Sequence, residues 1–253
     1  MYLVYCANRN TQLTDIALAH GYHYGMQLPG TPYHPIWFAD QDWKKPDRKA
    51  YMASLAEHRP HMASVMDWER EEQLPEVLSW AEEAAQHVEW VMLIPKVLGQ
   101  IGRLPRRIGG KRVVLGYSVP TKYGGTPNPL WEFAGWPVHL LGGQPQYQME
   151  LWRYFTCISE VVSADGNYAQ RMAVKYVQFW APGTAHYAKD RYWPRVRDVD
   201  GERWGHDAPY EAFRRSCANI MAAWSRLTHI EVSVSSNRID RMQRQERAEP
   251  SGC

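Results

Sequence analysis

The chain has 253 residues, 45% of them hydrophobic, and a formal net charge of +2. That is enough apolar material for one large domain with a full core and too much for a disordered chain, while so small a net charge excludes a polycation and leaves any nucleic-acid footing to local clusters of charge. The four cysteines, Cys6, Cys157, Cys217 and Cys253, show no paired spacing, which excludes a zinc ribbon and a disulfide scaffold.

In chain order, short apolar runs alternate with amphipathic stretches, the pattern of a wound parallel sheet. Strands are expected over Tyr2–Cys6, Pro35–Ala39, His61–Met66, Trp90–Pro95, Arg112–Val119, Val138–Leu141, Glu160–Ala164 and His229–Val234. Eight such runs suit a closed α/β barrel of the (β/α)8 TIM type. Helices are expected over Asp47–Glu57, opened by a capping aspartate, and over Leu74–His87, where Leu74, Val77, Leu78, Ala81, Ala84 and Ala85 share a face. Gln146–Ile158, Tyr168–Trp180 and Pro209–Leu227 also read as helices, the last being the longest. Gly and Pro punctuation makes Tyr22–Tyr33 and Ala181–His206 read as irregular connections. The barrel domain is expected to span 1–236, with a polar, basic tail over 237–253 in which Arg238, Arg241, Arg244 and Arg247 recur every third residue. Met1–Cys6 is too short and too polar-flanked for a signal peptide, and no apolar stretch approaches membrane-spanning length. A soluble cytoplasmic protein with no membrane partner is therefore the expectation.

Three apolar runs end on an aspartate, at Asp40, Asp67 and Asp165. A carboxylate at the end of a barrel strand faces the mouth, where such folds do their chemistry. Any one of them has an ordinary explanation as a helix cap or turn residue. Three on strands that neighbour one another favour catalysis, because paired carboxylates at a sugar can divide nucleophile and proton-transfer roles. Leu141, Gly142 and Gly143 end a strand with little side-chain bulk, which lets backbone amides approach a flat ligand. Lys96, Arg103, Arg106, Arg107, Lys111, Arg112 and Lys122 fall in a stretch without a single Asp or Glu, the best candidate for a nucleic-acid backbone contact. Trp43, Tyr117, Tyr123 and Trp136 are candidate stacking surfaces, whereas His20, His23, His34, His61 and His139 are scattered and read as structural.

The order of these strand-end signatures, from about Tyr2 to Trp180, resembles the guanine transglycosylases, the queuine-type base-exchange enzymes of tRNA. It is closest to their shorter relatives, often phage-encoded, that insert 7-deazaguanines into DNA. Tyr2 to Asn8, then Leu13-Thr14-Asp15, is similar to the family's opening strand and first helix, and Leu141-Gly142-Gly143-Gln144-Pro145 to its Met-Gly-x-Gly-x-Pro segment. The family's Asp-Ser-Gly-Gly-aromatic-Gln motif is here Asp40-Gln41-Asp42-Trp43, which leaves Asp40 or Asp42 as the proton-transfer group. The resemblance implies that Asp165 is the nucleophile, that Asp40 transfers protons, and that Asp67 reads the guanine edge, with Gly116, Leu141, Gly142, Gly143 and Trp43 around the base. It implies exchange of guanine for a preQ0- or preQ1-type base through a covalent glycosyl-aspartate, with DNA and the free base as partners. No cofactor or metal is implied. The tRNA enzymes' Cys-x-Cys-x-x-Cys zinc site has no counterpart after Asp165, so no tRNA-type zinc subdomain is expected and tRNA is the less favoured polymer. A nucleoside or glycoside hydrolase using the same carboxylates and a non-catalytic nucleic-acid-binding barrel are the alternatives.

Overall fold

The computed structural model describes residues 1–6, 10–120, 125–183 and 193–246, with side chains up to residue 228. Lys122, Tyr123, Arg247 and the middle of the Ala181–His206 connection lie outside the described residues. The strands are β1 (Tyr2–Cys6), β2 (His23–Leu28), β3 (Phe38–Gln41), β4 (Met62–Ser64), β5 (Trp90–Leu93), β6 (Arg107–Ile108), β7 (Lys111–Ser118), β8 (Pro137–Leu141) and β9 (Glu160–Asp165). All but β6 run parallel, in the spatial order β5-β4-β3-β2-β1-β9-β8-β7, and β5 pairs with β7 to close the ring. The result is an eight-stranded parallel TIM-type barrel in one domain, with β6 a two-residue antiparallel spur on β7.

Because side chains alternate across a strand, one set of residues faces the barrel axis and the other the helices. Val4, Phe38, Met62, Met92, Ile94, Val114 and Val162 form the compact inner cluster, contributed by β1, β3, β4, β5, β7 and β9. The outer faces pack beneath helices α1 (Thr11–Ala19), α2 (Arg48–His58), α3 (Leu74–Ala84), α4 (Pro145–Phe155), α5 (Tyr168–Tyr176), α6 (Val196–Asp200) and α7 (Ala208–Glu246). Local sequence explains these helices. Asp47 caps α2 by accepting from the Ala50 N–H at 3.0 Å, Asn10 caps α1 by accepting from the Leu13 N–H at 3.1 Å, and α3 and α4 begin with proline in the first turn. Leu74, Val77, Trp80, Ala81 and Ala84 form the buried stripe of α3. Each large side chain fully buried in this way contributes roughly 1.5–3 kcal/mol.

Seven of the eight expected barrel strands are present; the eighth is a different segment. His229–Val234 lies inside α7, which runs unbroken past residue 236, so the expected boundary between barrel and tail falls within one helix. The chain contains neither Gly nor Pro between Tyr210 and Glu249, and without a stop signal the amphipathic period continues through a segment rich in β-branched residues. The missing strand is β2, inside the stretch expected to be irregular. Its Gly25 does not break the strand. A Cβ there would meet Val4 Cγ1 at 2.7 Å, so the glycine is what lets β1 and β2 close around filled interior positions.

The N-terminal end of the barrel is plugged by rings. Tyr2 lies 5.0 Å from His23 and 4.9 Å from Trp37, Trp37 stacks on His61 at 5.2 Å, and His61 meets Trp90 edge-on at 4.6 Å. Arg112 covers Trp90 and pairs with Glu160. Burial holds the His23 and His61 imidazoles below the usual histidine range, so both stay neutral among the rings.

Candidate active site

Parallel strands deliver their C-terminal ends to one rim, and the ends of β3 and β9 bring Asp40 and Asp165 there on inward-facing positions. Asp40 Oδ1 accepts the Ser64 hydroxyl at 2.6 Å, and that hydroxyl in turn accepts the Gln41 N–H at 3.0 Å. Behind them the buried Tyr51 hydroxyl donates to the carbonyls of Ser64 (2.7 Å) and Ala39 (3.3 Å), fixing β3 against β4. Burial pushes the Asp40 carboxyl up to about 7; the nearby charges of Asp165 and Asp67 push the same way, and the Ser64 hydrogen bond opposes them.

Asp165 is held oppositely. Its Oδ1 accepts the Gly142 N–H at 2.9 Å and lies 3.2 Å from His139 Nε2, while Oδ2 accepts the Cys6 thiol at 3.2 Å. Burial disfavours its charge, but His139, the Gly142 amide and Cys6 together outweigh that and hold the carboxyl below its ordinary range. The Cys6 thiol is itself pushed well up by burial and by the two aspartates, so it serves as a donor rather than a thiolate. Gln148 of α4 donates to the carbonyls of Gly142 (2.6 Å) and Asp165 (2.5 Å), clamping the ends of β8 and β9 together. Asp67 also reaches the rim, after β4, and pairs with Lys96, which follows β5 and has a second acceptor in Glu69 at 3.4 Å. Burial raises the Asp67 carboxyl despite Lys96.

The remaining expected site residues divide. Gly142 (φ +68°) has open space where a Cβ would stand, and Gly143 (φ +87°) sits against Val119, so the two form a tight left-handed turn that aims the Gly142 amide inward. Gly116 does not open the site. A Cβ there would meet Leu141 Cδ1 at 2.7 Å, so its missing side chain makes room for Leu141 inside the barrel. Trp43 is 64% exposed on the loop after β3, beneath the Lys44 ammonium. Asp42 accepts the N–H groups of Lys44 (3.0 Å) and Lys45 (3.3 Å), a turn role that leaves Asp40 as the rim carboxylate.

The basic stretch does not form one surface. Lys96 lies at the mouth, and Arg103 pairs with Glu71 at 3.4 Å. Arg106, Arg107, Lys111 and Arg112 lie at the opposite end of the barrel, because the chain leaves β5 at the mouth and must return to the N-terminal end before β7 begins. There Arg106 stacks 3.6 Å above Trp136, Lys111 pairs with Glu89 at 3.1 Å, and Arg112 pairs with Glu160. Trp136 and Tyr117 are buried core residues rather than stacking platforms.

Sequence reasoning passed over Cys6, Ser64 and His139. Their signal is strand parity: Cys6 is four positions along β1 from Tyr2, Ser64 pairs with Met92, and His139 pairs with Gly116, two positions from Val114, all on the inward set. The register shift at Val138/His139 skips Val162, so it is β9 that changes parity partway along, before Asp165.

Among the described residues no cluster of three or more His, Cys, Asp or Glu side chains could hold a metal ion, and no helix is long and apolar enough to cross a membrane. No curated protein and no solved structure matches the chain. A family model described as a family of unknown function, DUF6610, matches residues 19–225, from the end of α1 through the packed half of α7, and by that match the chain belongs to this family.

Proposed function

We propose that this protein is a DNA-guanine transglycosylase that exchanges guanine for a preQ0- or preQ1-type 7-deazaguanine through a covalent glycosyl-aspartate, acting in the cytoplasm. The observation that carries the reading is the pair of rim carboxylates with opposed tendencies: Asp40 pushed up to about 7 and Asp165 held below the ordinary range. Two acids driven apart in this way divide into a proton carrier and a nucleophile.

In this reading ionised Asp165 attacks C1′ of the target nucleotide. The C1′–N9 bond breaks, its electron pair leaves with guanine, and neutral Asp40 gives that base its proton. Since Asp40 Oδ1 is committed to the Ser64 hydroxyl, the proton travels from Oδ2. The incoming 7-deazaguanine then attacks C1′, returns its N9 proton to Asp40 and frees Asp165. Asp67 accepts the N1–H and exocyclic amine of the base, and Lys96 remains paired through Glu69 while it does so. The guanine must arrive extruded or single-stranded to reach this mouth. The exposed Trp43-Lys44-Lys45 segment, on the loop that follows β3, supplies a stacking face and two cations on the mouth side. The preference for DNA over tRNA rests on the resemblance to the short DNA-modifying enzymes.

The test is incorporation of labelled guanine or 7-deazaguanine into DNA, together with a denaturation-resistant protein–DNA adduct. Asp165→Asn is expected to lower exchange by at least about 10³-fold while leaving DNA affinity nearly unchanged. Abasic sites without incorporation would assign hydrolysis instead, and salt-sensitive binding with neither product would assign a binding module.

A further inference from the structure

We infer that Ser163 and His139 are positioning residues for Asp165: a buried Ser–His–Asp chain, reversed relative to that of a serine hydrolase, in which the carboxylate faces the substrate and Oδ2 is the attacking oxygen. The inference takes from the proposed reaction only that Asp165 attacks; the rest stands on geometry.

His139 Nδ1 lies 2.7 Å from Ser163 Oγ and Nε2 lies 3.2 Å from Asp165 Oδ1. Both Ser163 and His139 are 0% exposed, so the hydroxyl cannot meet a substrate, whereas the Asp165 side chain keeps 14% exposure. The hydrogen-bond directions follow from charge. An ionised Asp165 only accepts, so Nε2 must carry the proton facing it; Nδ1 of a neutral ring then accepts the Ser163 O–H, and Nδ1–H of a charged ring donates to the Ser163 oxygen. Either form of the ring satisfies both of its partners. The Phe38 ring, 5.1 Å away, packs against the imidazole.

The two carboxylate oxygens are thereby made unequal. Oδ1 is held by the Gly142 amide at 2.9 Å and by His139, and Oδ2 by the thiol of Cys6, a weak donor. The oxygen with the weaker donor keeps the more available lone pair and is the one free to form the glycosyl ester. The backbone carries an independent mark of this arrangement. Val138 pairs with Val161, but a bulge makes His139 pair with Ser163 rather than Val162. His139 keeps the regular register of β8, paired with Gly116, and the skipped residue is Val162 of β9, so the bulge turns Ser163 and Asp165 onto the face where the imidazole stands.

Carboxyl ¹³C NMR titration, with Asp165 assigned by the missing signal in Asp165→Asn, reads the chain without requiring turnover. In His139→Leu the Asp165 midpoint is expected to rise by about one pH unit, a tenfold change in its ionisation equilibrium, and in Ser163→Ala by a smaller step in the same direction. His139→Gln, whose amide still reaches Asp165 with an N–H, is expected to restore most of the wild-type midpoint. An unchanged midpoint in folded His139→Leu overturns the inference. If that variant does not fold, an unchanged midpoint in Ser163→Ala overturns it equally. In the exchange assay His139→Leu should lower kcat about 10–10²-fold near neutral pH and move its acidic limb upward, with little change in KM for the free base. A wild-type protein that shows no exchange but shifts its midpoints as stated would remove the proposed reaction and leave this chain standing; exchange with unmoved midpoints would do the reverse.

Discussion

At the C-terminal end of the barrel the inward side chains include Cys6, Asp40, Ser64 and Asp165, whereas at the N-terminal end they include Tyr2, His23, Trp90 and Arg112. One end is closed by rings in mutual contact and by a cation paired with Glu160. The other gathers two carboxylates into one field and leaves one of them half-neutral near pH 7. Side chains alternate along the strands toward both ends, so what separates the plug from the candidate site is whether the buried groups are satisfied by one another or held in tension.

The strongest way to break that contrast is Asp40→Asn, which should change activity and stability in opposite directions. The folded carboxyl binds its proton up to about pH 7, while the unfolded one releases it near 3.8. Its favourable contribution is therefore complete below 3.8 and is lost as pH rises through 7, so at pH 8 the native protein carries an ionised carboxylate in a site that disfavours it. The variant is expected to be more stable than the native protein by on the order of 2 kcal/mol at pH 8, to lose that advantage toward pH 4, and to exchange bases about 10²–10⁴-fold more slowly. Urea unfolding at both pH values checks the sign. A stability loss at pH 8 would mean that Asp40 is a structural residue like those of the plug.

How far each end was legible in the sequence follows from the same contrast. The strand-end aspartates marked the C-terminal rim because three apolar runs close on one, although each alone fits a cap or turn, and the structure brings Asp40, Asp67 and Asp165 to one rim. The partners that set their behaviour were not legible. Asp165 turns toward His139 through a bulge on β9 that no alternation pattern contains, and Ser64, Cys6 and His139 look like ordinary strand residues until the register is known. The basic stretch misled for a topological reason: a loop between parallel strands starts at one end of the barrel and finishes at the other, so Lys96 and Arg112 are near in sequence and remote in space. His229–Val234 alternates like a strand, yet the uninterrupted helix before it decides its state. Gly25, read as punctuation, is a packing residue of β2.

Removing a ring from the plug tests the opposite end. Trp90→Ala takes away the ring that Tyr2, Trp37 and His61 all pack against, together with the face under Arg112. The expected cost is about 2–4 kcal/mol, below the largest aromatic truncations because Trp90 is only partly buried. Exchange per folded molecule should be nearly native, since none of these rings contacts Asp40 or Asp165. Thermal melting and activity in the pretransition range separate the two quantities. A variant that keeps its stability but loses turnover would make the plug part of the reactive centre.

The smallest expected effect decides which end meets the polymer. Lys44 and Lys45 are exposed on the mouth side, and Arg107 and Lys111 lie at the plugged end, where Lys111 already has Glu89 as a partner. Each phosphate that a cation no longer neutralises flattens the dependence of log K on log salt by somewhat under one. Replacing Lys44 and Lys45 together by Ala should therefore reduce that slope by roughly 1–2 and weaken DNA binding several-fold at low salt. The same double replacement at Arg107 and Lys111 should leave the slope unchanged, because a strand lying across the plug cannot place its sugar at Asp165 through a barrel filled by Phe38, Met62, Met92 and Val114. If the salt slope instead follows Arg107 and Lys111, the nucleic acid sits at the wrong end for base exchange, and the carboxylates at the mouth act on a small molecule.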